Sequence, residues 1–246
     1  MTQVDPKKIM LSISGLKKRF GDNVVLKGFN MYLEEGENLV IMGKSGSGKS
    51  VMIKCLMGLM QPDSGSIDIM GNNVLELEHT EFDQLRKKIG FLFQGSALYD
   101  SMTVKENLEF PLRKQHMSQK EKDALVLEAL ESVGLLDAID LMPNELSGGM
   151  KRRIALARAI ILHPKIIIYD EPTTGLDPIT AKEIIQLMRD IQIKHGASAL
   201  IITHDVDCSR VIADRMILLI DGLNYAEGSF NELSNSKDEK IQAFFK

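Results

Sequence analysis

The sequence predicts an α/β fold in which a parallel β-sheet core carries an inserted helical subdomain. Apolar, strand-like segments alternate with helical segments through the C-terminal half, which is the pattern of repeated βαβ units. Helical patterns interrupt this alternation in the middle of the chain, and short β-like segments dominate the N-terminal part. A length of 246 residues suits one such domain with an insertion, because a single domain averages about 150 residues.

The N-terminal part contains short strand-like segments separated by polar turns at residues 21–23 and 34–37. These segments are residues 9–14, 24–33, 39–42 and 66–73, the last including a turn. Residues 51–60 are densely apolar and follow a glycine-rich loop, which predicts a buried helix.

Two capping-box patterns mark helix starts in the middle of the chain: Thr103 with Glu106, and Ser118 with Glu121. In such a box the hydroxyl accepts a hydrogen bond from a backbone N–H, and the carboxylate accepts one in return. The second pair opens a segment with helical spacing at residues 124–133. We therefore expect a helical subdomain here.

The C-terminal half predicts an alternating series of helices and strands. Its first helix, at about 150–162, is stopped by Pro164. Residues 166–169 are a continuous β-branched and aromatic run, typical of a strand covered on both faces. The series continues with a helix at about 180–194, a strand at 198–203, a short helix and a strand at 216–220. The charged tail after Ser234 predicts a frayed helix.

Composition and charge exclude several classes of protein. The chain has 30 Lys+Arg against 34 Asp+Glu, whereas nucleic-acid-binding proteins usually carry a basic excess. No apolar run approaches the ~18 residues of a membrane span, and residues 1–8 lack the apolar stretch of a signal peptide. The sequence has only two cysteines, Cys55 and Cys208, and they lie far apart, so it offers neither a disulfide framework nor a zinc cluster. We therefore expect a cytosolic protein that binds no nucleic acid and acts at a membrane only through a partner.

A glycine-rich loop matches the phosphate-binding pattern G-x-x-x-x-G-K-S/T in full. It consists of Gly43, Lys44, Ser45, Gly46, Ser47, Gly48, Lys49 and Ser50. The loop lies between a predicted strand and a predicted helix, which disfavours a chance match in a Gly/Ser-rich turn. Backbone N–H groups and the helix N-terminus can surround phosphate oxygens. Lys49 can reach the β and γ phosphates, and the Ser50 hydroxyl can ligate Mg²⁺.

Two acids, Asp170 and Glu171, follow the apolar run at 166–169. Mg²⁺ prefers oxygen ligands, so Asp170 suits the metal at the strand end. Glu171 leaves the strand at a different angle and can polarise the attacking water. The alternative, that both acids only begin a turn before Pro172, is weakened by the complete phosphate loop.

A second glycine motif comprises Leu146, Ser147, Gly148, Gly149 and Met150. It opens a helix whose free N–H groups could bind an anion. Taken alone, Ser-Gly-Gly is a weak signal, and a plain N-cap is the default interpretation of Ser147.

Together these motifs resemble those of the nucleotide-binding subunit of ATP-binding cassette (ABC) transporters, over residues of about 11–233. The resemblance implies that residues 146–150 are the family signature, usually LSGGQ, and that Gln94 is the Q-loop residue. It also implies that Asp177 lies in the D-loop and that His204 is the switch histidine. Phe20 stands where the family places an aromatic ring, more often Tyr, to stack on adenine.

On the residues alone, a single histidine after a strand, such as His204, is usually an ordinary loop residue. It follows the apolar strand at 199–202, so its side chain would emerge at the carboxyl edge of the sheet, where ligands bind in such folds. The resemblance favours a role in orienting the γ-phosphate and water, with Glu171 as the base.

The resemblance implies a P-loop NTPase fold: a RecA-like parallel sheet core, an N-terminal antiparallel β subdomain and an inserted helical subdomain. Residues 1–246 would then be a single ATPase domain, with its core at about 1–94 and 165–246 and its helical subdomain at about 95–164. The implied cofactors are ATP and Mg²⁺. The implied catalytic residues are Lys49, Gln94, Glu171 and His204, and the implied Mg²⁺ ligands are Ser50, Gln94 and Asp170. The implied ATP-binding residues are Phe20, Gly43, Lys44, Ser45, Gly46, Ser47, Gly48, Lys49, Ser50, Val51, Gln94, Ser147, Gly148, Gly149 and Asp177.

In this family two cassettes face each other head to tail, and the resemblance implies the same partner, a second copy, for this chain. Ser147 and Gly149 of one copy would close over the ATP held by the phosphate loop of the other. This arrangement explains why one chain carries two motifs suited to binding phosphate, the phosphate loop and the second glycine motif.

Residues 91–115 and 146–160 are similar to the cassettes of Mla-type systems, which pair with MCE-domain proteins and move phospholipids or related lipids between bacterial membranes. The implied partners are a transmembrane permease and an MCE-domain lipid-binding protein, with the chain on the cytoplasmic face of the inner membrane. By analogy, residues 95–110 would grip a permease helix; packing within the helical subdomain explains each apolar residue there equally well.

Alternative functions belong to other classes. The chain could serve another ABC importer or exporter, for example one for an amino acid, or act as a soluble cassette ATPase of the kind that assists iron–sulfur assembly. A translation or repair factor is disfavoured, because such proteins generally carry two cassettes or a long coiled-coil insertion.

Overall fold

The computed structural model describes residues 9–245, which form two compact units. The first unit comprises the described residues up to Arg86 and those from Ser198 onward, and the second is Lys87–Ala197. The expectation about a signal peptide at residues 1–8 falls outside the described residues.

The elements alternate along the chain as an α/β protein requires. The strands are β1 (Ile9–Phe20), β2 (Asn23–Glu34), β3 (Asn38–Met42), β4 (Ser64–Ile69), β5 (Asn72–Asn73), β6 (Ile89–Leu92), β7 (Ile166–Asp170), β8 (Ser198–Thr203), β9 (Arg215–Ile220) and β10 (Leu223–Gly228). The helices are α1 (Lys49–Leu56), α2 (His79–Arg86), α3 (Val104–Glu109), α4 (Gln119–Ser132), α5 (Gly148–Ile160), α6 (Pro178–His195), α7 (Val206–Ile212), α8 (Phe230–Ser234) and α9 (Glu239–Gln242). Within residues 9–245, no helix is both long and apolar enough to cross a bilayer.

An antiparallel sheet forms one layer of the first unit, in the strand order β2-β1-β4-β5. Leu11 and Ile13 are buried at alternate positions of β1, so one face of the sheet packs into the core. β1 and β2 are longer than the predicted segments at 9–14 and 24–33. The polar stretch Lys17–Arg19 pairs with β2 across several register shifts, and backbone pairing therefore extends the strands beyond their apolar residues.

A second sheet of the first unit contains β10, β9, β3 and β8 in this spatial order. β3 lies between β8 and β9 and is parallel to both, while β10 is antiparallel to β9. All five residues of β3 and all six of β8 are buried, as expected for parallel strands covered on both faces.

The second unit combines a parallel strand pair with four helices. β6 is parallel to β7, with Leu92 opposite Tyr169. The predicted capping boxes are confirmed, since Thr103 begins α3 and Ser118 begins α4, each exchanging hydrogen bonds with its glutamate. These boxes satisfy N–H groups that the first helical turn leaves without intrahelical partners.

The tail after Ser234 differs from the predicted frayed helix. Asp238 caps α9 by accepting hydrogen bonds from the backbone N–H groups of Lys240 and Ile241. The same carboxylate accepts a hydrogen bond of 2.8 Å from the Tyr225 hydroxyl, and Ile241 is buried. The tail is thus held by its cap and by packing that its charged sequence does not reveal.

Arg215 connects three segments of the first unit. Its guanidinium lies 2.7 Å from Glu37 Oε1 and 2.5 Å from Glu227 Oε1, and it donates to the Tyr32 carbonyl at 2.7 Å. We expect Arg215→Ala to lower the free energy of unfolding by about 2–3 kcal/mol, because the poorly exposed Glu37 carboxylate would lose its partner. Urea unfolding measures this change.

Arg210→Ala is the matched control, since the ion pair of Arg210 with Asp207 is largely exposed. It should cost less than about 1 kcal/mol. Equal losses for the two variants would contradict the importance of the Arg215 network.

Candidate active site

The phosphate loop connects β3 to α1 in the first unit. Gly48 is the N-cap of α1 and has φ 108°, a left-handed conformation that favours glycine. A Cβ on Gly43 would lie 2.9 Å from the Leu219 carbonyl oxygen, so a side chain is excluded there too. These glycines allow the loop to fold tightly in front of the helix N-terminus.

Lys49 turns its side chain back over this loop. Its ammonium donates hydrogen bonds to the carbonyl oxygens of Gly43 and, at 3.3 Å, of Lys44. Ser47 Oγ is buried and has no hydrogen-bond partner within residues 9–245. With a lysine, a hydroxyl and a helix N-terminus without acidic residues in its first turn, the loop fits the phosphates of a nucleotide.

Ser50 and Val51 complete the first turn of α1, with Ser50 exposed and Val51 half-buried. The Ser50 hydroxyl supplies the kind of neutral oxygen that Mg²⁺ accepts beside carboxylates and phosphates. An exposed hydroxyl beside the phosphate loop therefore fits one ligand of a nucleotide-bound Mg²⁺.

His204 lies at the same edge of the sheet as the phosphate loop. Thr203 ends β8 opposite Met42, the last residue of the neighbouring parallel strand β3. His204 and Gly43 are the residues that follow, and His204 is exposed. Asp205 accepts hydrogen bonds from the N–H groups of Asp207 and Cys208, which fixes the turn after His204.

A cavity of 660 Å³ adjoins the phosphate loop. Residues Asn23–Val25 at the start of β2 and Lys44–Ser47 of the loop contribute to its lining. Phe20 is 47% exposed, with the Lys18 ammonium 5.7 Å from its ring centroid. It is not among the described residues that line this cavity, although it ends β1 opposite Asn23, which does line it.

In the second unit, Gln94, Asp170 and Glu171 lie at one strand edge. Gln94 follows β6, Asp170 ends β7 and Glu171 comes next, so the parallel pairing of the two strands places them together. The neighbouring Tyr169 is fully buried, and burial raises the pKa of its phenol above the ordinary value.

Glu171 has an unusual backbone conformation that the surrounding sequence does not predict. Its φ is 49°, in the left-handed region that non-glycine residues rarely adopt, and the residue is 8% exposed. The Thr174 hydroxyl donates to Glu171 Oε2 at 3.3 Å. Such strain persists where surrounding structure fixes a residue, and it is concentrated at functional sites.

Arg152 is a buried residue whose contacts the sequence motifs do not predict. It is 3% exposed, and its guanidinium donates to the carbonyls of Phe93 at 3.0 Å and Thr174 at 3.2 Å. Burial lowers the pKa of Arg152 from its ordinary value. Helix α5 thereby holds the loops that carry Gln94 and Glu171.

The spacing of apolar residues in α5 indicates that Arg152 lies on a buried face. The buried residues Arg152, Ala155, Leu156 and Ala159 follow the spacing of one helix face. A cation on such a face implies buried hydrogen-bond acceptors.

Residues 147–150 of the second glycine motif and Asp177 line one cavity of 350 Å³ in the second unit. Ser147 caps α5 by accepting a hydrogen bond of 3.2 Å from the Met150 N–H. Asp177 caps α6 by accepting hydrogen bonds from the backbone N–H groups of Ile179 and Thr180 and from the Thr180 hydroxyl. These hydrogen bonds lower the pKa of the Asp177 carboxyl, and the one from the Thr180 hydroxyl contributes most. Both residues therefore have a structural role as helix caps and also face a shared cavity.

Residues 95–110 divide into two groups. Val104 and Leu108 are fully buried, so they pack within the second unit. Tyr99 and Phe110 are exposed and contact each other with ring centroids 4.5 Å apart. The exposed aromatic pair is available to a partner, whereas the two aliphatic residues are not.

Comparisons with known proteins agree on one family. The family model described as "ABC transporter" matches residues 26–174. The methionine import ATP-binding protein MetN of Brucella abortus (strain 2308) is 39% identical over 219 residues, covering 89% of this chain and 59% of the relative. The probable ribonucleotide transport ATP-binding protein mkl of Mycobacterium leprae is 40% identical over 216 residues, covering 87% of this chain and 62% of the relative. The chain thus spans less than two thirds of the length of these relatives.

Solved structures share the fold over nearly the whole chain. One is an ATP-binding cassette described as a dimer in a post-hydrolysis state bound to ADP and Pi, with a TM-score of 0.80, 35% identity and coverage of 90% of this chain and 99% of that one. Another is cbiO1 of Clostridium perfringens, which is described as part of an ABC transporter complex. It has a TM-score of 0.86 and 28% identity, and the match covers 97% of this chain and 96% of that one. The expected α/β P-loop NTPase fold is confirmed.

Proposed function

Since this chain belongs to the ABC transporter family, we propose that it is the ATP-hydrolysing subunit of a membrane transporter. The observation that carries the proposal is the phosphate loop, with the Lys49 ammonium turned over it and His204 at the same sheet edge. Residues 1–246 act as a single ATPase domain, with the core at about 1–94 and 165–246 and the helical subdomain at about 95–164.

The proposed roles follow from the chemistry of each residue. Lys49 and the loop N–H groups hold the phosphates, and Mg²⁺, when bound, neutralises their charge. Glu171 polarises the attacking water, and His204 orients the water and the γ-phosphate. The proposed Mg²⁺ ligands are Ser50, Gln94 and Asp170. Phe20 stacks on adenine, and Val51 adds a contact from the first turn of α1.

Two copies of the chain are proposed to close head to tail on ATP. The cavity lined by Ser147, Gly149 and Asp177 is a concave, polar surface that suits the phosphates of the other copy's nucleotide. ATP then links the copies and hydrolysis releases them, which provides two states for driving a permease.

The proposed cargo is a phospholipid or a related lipid. The similarity of residues 91–115 and 146–160 to Mla-type cassettes supports it, and the exposed pair Tyr99 and Phe110 offers a contact for a permease helix. The proposed partners are a transmembrane permease and an MCE-domain protein, at the cytoplasmic face of the inner membrane.

The name of the Brucella relative favours a second candidate, the ATPase of an amino-acid importer.

Affinity purification from detergent-solubilised native membranes tests the cargo class. We expect the tagged full chain to co-purify with a multi-helix permease and an MCE-domain protein, identified by mass spectrometry. Replacing Tyr99 and Phe110 by serine should remove the permease, because both rings are exposed and neither is needed for the core.

Leu59→Ser is the control, since Leu59 is an apolar residue more exposed than either ring but lies in the first unit. Recovery of an amino-acid permease would favour the importer. Recovery without any membrane protein would favour a soluble cassette.

A further inference from the structure

The 660 Å³ cavity beside the phosphate loop has a wall that the family motifs do not include. Glu239, Lys240, Ala243 and Phe244, from α9 and the residues after it, line it together with Lys44–Ser47 of the loop. The C-terminal segment of the chain thus shares a cavity with the residues proposed to hold phosphate. Its volume lies within the ~300–1,000 Å³ of small-molecule sites.

This wall is fixed by several contacts within the first unit. The Gln242 side-chain amide donates to the carbonyls of Ser234 at 2.7 Å and Ser236 at 2.8 Å. The rings of Phe245 and Phe230 pack edge to face, with centroids 5.5 Å apart. Phe245 therefore anchors the segment, while its neighbour Phe244 faces the cavity.

The chemistry of the wall suits a nucleotide. Lys27, Lys44 and Lys240 bring three cations to the lining, against the two carboxylates Asp221 and Glu239. Among the described residues that line the cavity, Phe244 is the only aromatic one. The Lys44 ammonium nitrogen lies 5.8 Å from the centroid of its ring. A π face near a cationic phosphate loop can stack on a base whose phosphates the loop binds.

We propose that the C-terminal segment contributes to the nucleotide site of its own chain, with Phe244 contacting the base and Lys240 contacting the sugar or phosphates. The inference rests on the proposed ATP-binding function and adds a specificity-determining residue to it. Phe244 lies at the opposite end of the chain from Phe20, which stands at the family's aromatic position and is not among the described residues that line this cavity.

Equilibrium binding of MgATP to the full-length chain, by isothermal titration calorimetry, tests the proposal. Phe244→Ala should weaken binding about tenfold, since a base–aromatic stack contributes about 1–3 kcal/mol and each ~1.4 kcal/mol is a factor of ten. Phe244→Leu, which keeps the apolar bulk without the ring, should weaken it nearly as much. Lys240→Ala should weaken it about threefold.

Inorganic tripolyphosphate, which lacks a base, separates base contacts from phosphate contacts. Its affinity should be the same for the wild-type chain and for Phe244→Ala. The control is Lys237→Ala, which removes an exposed side chain of the same segment that does not line the cavity. Melting temperatures of all variants report whether the segment stays folded.

Several outcomes would overturn the proposal. These are an unchanged or higher MgATP affinity for Phe244→Ala, an equal loss for Lys237→Ala, or an equal loss of tripolyphosphate affinity. If the wild-type chain binds MgATP normally and Phe244→Ala does too, this inference fails while the ATPase proposal stands. If the wild-type chain binds no MgATP, both fail.

Discussion

Lys49→Ala is expected to reduce ATP hydrolysis by at least about hundredfold, to a level near background. The lysine ammonium offsets negative charge on the β and γ phosphates. In the structure this ammonium is already held at the loop by the carbonyls of Gly43 and Lys44. Its removal leaves two carbonyl oxygens, which repel phosphate, facing the same space. Phosphate release at saturating MgATP measures the loss.

Lys54→Ala provides the matched control, because Lys54 lies in the last turn of the same helix and is exposed. It should hydrolyse ATP at the wild-type rate. Retention of activity by Lys49→Ala would contradict the assignment of the phosphate loop.

Glu171→Gln is expected to slow hydrolysis by about 10²–10⁴-fold while leaving ATP binding intact. The amide has the shape of the carboxylate and can still accept a hydrogen bond from the Thr174 hydroxyl, but it cannot polarise water as a base. ATP would then persist between two copies, so a dimer should accumulate in MgATP. Size-exclusion chromatography with light scattering detects the dimer, and phosphate release measures the rate.

The control for Glu171→Gln is Glu131→Gln, an exposed glutamate on α4 of the same unit. It should change neither the rate nor the dimer population. Wild-type hydrolysis by Glu171→Gln would refute the role of Glu171 as the base.

Strong local signals made much of the fold predictable. The predicted strand at 198–203 coincides with β8, and the run at 166–169 is one residue shorter than β7. Both are continuous β-branched or apolar runs, which single out buried parallel strands. The capping boxes at Thr103 and Ser118 were predictable because the pattern contains its own hydrogen bonds.

Elements with weaker patterns were missed. α2 has two buried residues, Phe82 and Leu85, and β6 is four residues long and contains Gly90. β10 alternates exposed and half-buried residues at the edge of its sheet, where pairing with β9 stabilises it more than burial does. In each case tertiary contacts, rather than local preference, decide the structure.

At the candidate site, the motifs identified residue types but not their surroundings. The spacing of the phosphate loop predicts its chemistry, and the place of His204 after a buried strand predicts its sheet edge. Neither pattern indicates the left-handed backbone of Glu171, which depends on the turn that follows β7. The contacts of Arg152 and Phe244 join segments far apart in the sequence, so no local pattern contains them.

The order of the strands has a consequence for synthesis on the ribosome. β3 is apolar and buried on both faces, yet its partners β8 and β9 are translated only after the whole of Lys87–Ala197. That intervening stretch is continuous, so its contacts can form while the sheet around β3 is still incomplete. Until β8 and β9 emerge, β3 is a nascent hydrophobic strand with two unpaired edges, the kind of segment on which chaperones act. The same non-local pairing favours slow folding of the first unit, because long loops must close before its contacts form.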